Sequence, residues 1–149
     1  MLRLRKRVEG EKPRVFYALG GPGDIIRAHR NWRKQVPDER EMSVTFSSQI
    51  ADFCEKNASS AYFISPHPEP RRLVDGDFVL EHRPKPSQGA SGLLYHLKEL
   101  WYGGSLLRAA LQFRADTVLL DSGATSHSAM LLFKLCGFQV IPILHSTLW

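Results

Sequence analysis

The chain has 149 residues, 43% of them hydrophobic and 23% charged, with a formal net charge of +5. That length buries one core, and the composition is that of a globular domain rather than a fibrous or disordered chain. Cys54 and Cys136 lie among apolar neighbours without CxxC or Cys/His spacing, which argues against a disulfide framework and a zinc motif and for reduced thiols in a cytoplasmic setting.

Residues 1–13 read as a loose basic arm, with Arg3, Arg5, Lys6 and Arg7 and no apolar stretch of the signal-peptide kind, ended by Pro13. Arg14–Leu19 is a short apolar run that suits a buried strand. Gly20-Gly21-Pro22-Gly23 stops it, and Asp24 is a good N-cap for a helix running to about Gln35. Arg27, Arg30, Arg33 and Lys34 give that helix a basic face. Met42–Phe46 reads as a second strand, capped by Ser47/Ser48 into a helix over Gln49–Asn57. Ala61–Ser65 is a third strand, stopped by the stiff Pro66-His67-Pro68-Glu69-Pro70. Asp75-Gly76-Asp77 is a hairpin-like turn between Arg71–Val74 and Phe78, and Phe78–His82 is a fourth strand leading to the basic loop Arg83-Pro84-Lys85-Pro86.

A long helical region runs from Ser91 to about Arg114, with Leu93, Leu94, Leu97, Leu100 and Trp101 at helical spacing. Trp32, Trp101 and Tyr102 read as packing residues, and Gly103-Gly104 is expected to bend or split the helix. Thr117–Leu120 is a fifth strand. Asp121–Ser126 turns into a helix over Ala129–Cys136, with Thr125 or Ser126 as cap and Gly137 as stop, and Gln139–Leu144 is a sixth strand. Continuous apolar strands alternating with helices predict an α/β, Rossmann-like parallel sheet of about six strands with helices on both faces.

In such a sheet ligands gather outside the carboxyl ends of the strands. The polar segments there are Gly20–Asp24, Ser47–Gln49, Ser65–Glu69, Arg83–Lys85, Asp121–His127 and His145. A strand, a glycine turn and a helix start form a natural anion site, because backbone N–H groups are unpaired and the helix end is partly positive. There is no Gly-Lys-Ser/Thr, which excludes a P-loop, and the dinucleotide pattern puts Ile26 at its third glycine and finds no acid after the second strand. A tight turn with Asp24 as a plain cap stands beside the ligand reading. His127 at a helix start is expected to be neutral, fit to bond a hydroxyl or accept a proton, or else simply half-buried. Candidate ligand contacts are Gly20, Gly21, Gly23, Asp24, His67, Arg83, Ser122 and His145, with His127 and Asp121 the candidate catalytic pair; the plain turn, cap or loop reading stands beside these, and ahead of them for Asp121, His67 and Arg83. No metal site, cofactor or nucleic-acid partner is expected.

The segments RVFYALGGPGDIIRAHRNWR, FISPHP, FVLEHRPKP and TVLLDSGATSHSAMLLFKLCGFQVIPILHSTLW, in that order, resemble the N-terminal domain of GT-B glycosyltransferases of the family 4-like group. The resemblance spans nearly all of residues 14–149. It implies the acceptor-side half of a retaining enzyme that moves a sugar from a nucleotide-sugar donor to a sugar or lipid-linked acceptor. By that analogy Gly20, Gly21, Gly23 and Asp24 form the loop that approaches the donor phosphates. His127 matches a histidine at the start of the helix after a central strand, while Asp121 and Ser122 stand where relatives carry further histidine. The donor-binding C-terminal domain has no counterpart here, so the chain is expected to need that domain or a partner chain for turnover. The alternative is a non-catalytic Rossmann-like module binding an anionic ligand or a protein. An anionic membrane surface, met by the arm and the basic helix face, is compatible with either, and would place the protein peripherally at the membrane.

Overall fold

The computed structural model describes residues 10–36 and 42–144, with the backbone alone for residues 42–47, 127 and 128. Its strands are β1 (Arg14–Ala18), β2 (Ser60–Ser65), β3 (Arg71–Asp75), β4 (Phe78–His82), β5 (Thr117–Asp121) and β6 (Gln139–Ile143). The helices are α1 (Ile25–Arg33), α2 (Met42–Asn57), α3 (Gly92–Phe113) and α4 (His127–Leu135). They form one six-stranded sheet in the order β3-β4-β2-β1-β5-β6, parallel throughout except for β3. This is the expected α/β, Rossmann-like architecture.

The alternation of each strand divides the core. Val15 and Tyr17 of β1, Ala61 and Phe63 of β2, and Phe78 and Leu80 of β4 face Ile25, Ala28 and Trp32 of α1 and Ala51 and Cys54 of α2. Phe16 and Ala18, Tyr62 and Ile64, and Val118 and Leu120 face the opposite way, onto Tyr102, Leu106 and Ala110 of α3 and Phe133 of α4. Burial on both faces explains why these strands are apolar without interruption.

Four expectations need correction. Met42–Phe46 is the first part of α2 and not a strand, and Ser47/Ser48 lie inside that helix rather than capping it. The run carries no glycine or proline before Gln49 to end a helix, and β1 pairs directly with Ser60–Ser65, leaving no place for a strand between them. The sixth strand is instead β3, which pairs antiparallel with β4 around Gly76, whose φ of 58° is natural for glycine in a tight hairpin. The third correction concerns α3, which runs unbroken through Gly103-Gly104. The reason is packing: a Cβ at Gly103 would lie 2.6 Å from both the Ala129 Cβ and the Thr125 Oγ1, so the glycine permits close contact with α4. The fourth is Trp101, expected in the core but 67% exposed. Trp32 and Tyr102 are buried as expected.

β6 lies at one edge of the sheet, with Pro142 as its fourth residue. Gln139 N–H donates to Asp116 O and Ile143 O accepts from Ser122 N–H, so the odd-numbered residues of β6 bond to the β5 side.

Candidate functional site

The connections from β1 and β5 lead to opposite sides of the sheet, so the strand order reverses between them. The crevice outside their carboxyl ends is where open α/β sheets bind ligands. Here the two turns touch. A Cβ at Gly20 would meet the Gly123 Cα and N at 2.9 Å. Gly20 N–H donates to Asp121 Oδ2 at 3.1 Å, and the Tyr17 hydroxyl bonds the same carboxylate. Burial, then the Asp121 charge and that bond, push the Tyr17 hydroxyl far above its usual range, so it stays a donor. Asp121 is itself buried. Ser122 is held by its N–H on Ile143 O at 2.9 Å. Gly21 is exposed, with open space where a Cβ would stand, and the Gly23 carbonyl accepts from Ile25 N–H.

Beside this crevice, on the α1 face, lies a second group. Asp24 caps α1 as expected, its Oδ1 accepting from Arg27 N–H at 2.8 Å. The same oxygen is 3.2 Å from Nε2 of His82, whose side chain is fully buried at the end of β4. His67, half-buried in the proline-rich loop after β2, lays its ring over His82 with centroids 4.3 Å apart and a 30° tilt. Glu69 N–H donates to His67 Nδ1, so a neutral His67 carries its proton on Nε2. Burial raises Asp24, but the Arg27 amide bond and the neighbouring His82, His67 and Arg27 side chains outweigh it and hold the carboxyl below its usual value. Burial lowers His82 more than Asp24 raises it, so the ring is neutral near pH 7. Ser65 pairs with His82 across β2 and β4, and its buried hydroxyl has no hydrogen-bond partner among the described residues.

The basic loop after β4 turns to the other face and is spent internally. Arg83 binds Glu81 at 2.7 Å and Ser105 O at 2.9 Å. Glu81 also takes the Tyr62 hydroxyl, which burial and that bond push up to about 12. Lys85 Nζ bridges Glu99 Oε1 at 2.9 Å and Gly123 O at 3.0 Å, and Ser87 donates to the same buried carboxylate. The loop is thereby tied to α3 and to the turn after β5.

The structure thus gathers Gly20, Asp121 and Ser122 at one crevice and Asp24 and His67 at its side, and sends Arg83 to the α3 face. His127 opens α4 as the residue after its N-cap, Ser126, with only its backbone described, and His145 lies outside the described residues, as do the basic residues 3–7 of the arm. Sequence reading missed His82 and Glu99, and had Ser65 only as the start of the polar segment Ser65–Glu69. Phe78, Leu80 and His82 alternate on one strand, a pattern that already puts the histidine on the buried face above Ser65. Glu99 has no comparable signal, since it stands in a helical run whose neighbours are exposed. Among the described residues no group of three or more His, Cys, Asp or Glu could hold a metal ion. Comparison with protein-family models, with curated proteins and with solved structures gives no match.

Proposed function

We propose that the chain is the acceptor-side domain of a retaining glycosyltransferase that takes its sugar from a nucleotide-sugar donor and depends on a donor-binding domain for turnover. The observation that carries the reading is the collection of Asp24, His67 and His82 beside the touching Gly20 and Gly123 turns, at the point where the strand order reverses. The resemblance in residues 14–149 supplies the reaction class.

In this reading the half-exposed His67 offers an N–H to a sugar hydroxyl, with neutral His82 and anionic Asp24 fixing its position from below. His127, the first residue of α4, is the residue that the resemblance assigns to the sugar. The exposed Gly21 lets the backbone approach the donor diphosphate, whose developing charge is met by N–H groups as the glycosidic bond breaks. Most of that stabilisation is assigned to the second domain, because Gly20 N–H, Arg83 and Lys85 are already bonded within the chain. The same internal bonding favours the second reading, a non-catalytic module with an anionic or protein ligand.

Calorimetric titration with UDP, GDP and their sugar conjugates tests the proposal, using wild type, Gly21→Val and His67→Ala. Weak diphosphate-dependent binding, lost in Gly21→Val, is the expected result. Absence of binding to every nucleotide and sugar nucleotide counts against a transferase half. Sugar transfer by the isolated chain would refute the need for a second domain.

A further inference from the structure

The amino-terminal half of α3 leaves an apolar side exposed: of Gly92–Tyr102 only Glu99 and Tyr102 are buried, and the first turns, Gly92–Leu97, overhang with every residue exposed among the described residues. Gly103 marks where α3 crosses the start of α4, at the carboxyl edge of the sheet. The eleven residues before it, Gly92–Tyr102, carry the helix roughly 16 Å further at 1.5 Å per residue. Along that overhang Leu93 is 76% exposed, Leu97 56% and Trp101 67%, with Leu94, Tyr95 and Leu100 also exposed. Leu93, Leu97, Leu100 and Trp101 recur at helical spacing and form one line on the outer side. A continuous apolar line of this kind on a chain of ordinary composition marks an interaction surface.

Charge selects the occupant. The only acid in α3 is Glu99, and it is buried against Lys85 and Ser87. α4 contains no acid at all. The cations of the two helices point outward: Lys98 is half-exposed, and Arg108 and Lys134 are exposed. Among the described residues the exposed acids lie off these two helices, as with Glu55 on α2, Asp77 on the β3–β4 hairpin and Glu69 in the loop after β2. A leucine and tryptophan line on helices whose exposed charges are all cations matches an anionic lipid surface, which offers apolar depth and negative headgroups together. A second copy of the chain fits poorly, because a two-fold contact through α3 brings Lys98 and Arg108 against their own kind. The basic helix α1 is a weaker candidate, because Arg33 is already held by Glu55 and Asp75 at 2.6 and 3.0 Å.

We infer that the overhanging half of α3 is a docking surface for an anionic bilayer, with the helix lying in the interface and not crossing it. No helix among the described residues is long and apolar enough to span a membrane. Because α3 begins beyond the carboxyl end of β4, docking there turns the carboxyl edge of the sheet toward the lipid surface.

Vesicle sedimentation of the full chain tests this without any sugar donor, so its outcome is separate from that of the titration above. Binding is expected to vesicles containing about 30 mol% phosphatidylglycerol and not to phosphatidylcholine alone, and to weaken with salt. Leu97→Ser/Trp101→Ser is expected to weaken it about tenfold or more. Lys98→Gln/Arg108→Gln should weaken it about fivefold for each cation removed. Arg30→Glu on α1 should leave it unchanged. All these residues are exposed or half-exposed, and circular dichroism melts confirm that each variant folds. Absence of binding to anionic vesicles overturns the inference, as does binding that survives the apolar substitutions. A concentration-dependent dimer dissolved by Leu97→Ser/Trp101→Ser would give the surface to a second copy instead.

Discussion

Gly20 and Gly123 meet backbone to backbone, so closely that a Cβ on Gly20 would stand 2.9 Å from the Gly123 Cα and nitrogen. No flexible side chain is there to give way, so Gly20→Ala must separate the turns after β1 and β5 and strain the Gly20 N–H bond to Asp121. The expected cost is about 1–3 kcal/mol. Gly21→Ala meets open space and should change stability by less than about 0.5 kcal/mol. Urea denaturation of the two variants separates them, and equal stability would mean that the turns do not touch in solution.

The adjacent glycines of α3 give opposite expectations. Gly104→Ala enters open space and gains helix propensity, so it should stabilise by up to about 1 kcal/mol. Gly103→Ala gains the same propensity but forces a methyl to 2.6 Å from Ala129 Cβ and Thr125 Oγ1. Overpacking of about 1–3 kcal/mol exceeds the gain, so the net effect is destabilising. Thermal melts of the pair read the sign directly, and stabilisation by both would disprove the tight α3–α4 crossing.

Breaking the Lys85–Glu99 pair should be costly, because Glu99 is buried and shares its carboxylate with Ser87. Lys85→Met leaves that charge without its cation and is expected to cost on the order of 3 kcal/mol. Replacing both partners, as Lys85→Met/Glu99→Leu, should recover most of the loss. Chemical denaturation of the single and double variants measures it; a double variant as unstable as the single would show that the ion pair itself stabilises the fold.

Two buried histidines give the protein a mildly acidic limit. Burial lowers His29, against the raising effect of Asp75 and with Arg33 and Glu55 nearby, and it lowers His82, against Asp24 and with His67 and Arg71 nearby. A folded-state value below the unfolded one, about 6.5, means that the unfolded chain binds more protons below that pH. Their contribution is therefore complete above about pH 6.5 and declines as the pH falls toward the lowered values. Asp24 and Asp75, both lowered, add a separate loss that begins only below about pH 4. Melting temperature should fall between pH 7.5 and 5.5, and less steeply in His82→Gln. A flat profile in the wild type would mean that neither ring is buried neutral.

Sequence made the sheet legible wherever strands were buried on both sides. Arg14–Ala18, Ala61–Ser65 and Thr117–Leu120 are short apolar runs with no helical reading, and all three are central strands. It failed at Met42–Phe46, where Val44, Thr45 and Phe46 favour a strand locally but the chain continues one helix to Asn57. It read the helix over Leu93–Trp101 correctly but misplaced Trp101, because helical periodicity reports an apolar face and not what covers it. At the candidate site, Asp24 as cap and the glycine turn were readable from local chemistry. The meeting of Gly20 with Gly123 and of His67 with His82 was not, since each pair is joined only by the sheet order and the loops across it.

Pro142 bears on what the sheet will accept as a neighbour. With the odd-numbered residues of β6 turned toward β5, only Val140 and Pro142 present their backbone nitrogens to the open side, and proline has no hydrogen to offer. A further strand laid along β6 would find a single outward donor at Val140 within that strand. The edge is thereby a poor template for another chain, and protection against runaway strand addition at this edge is written into the backbone itself rather than into a covering side chain.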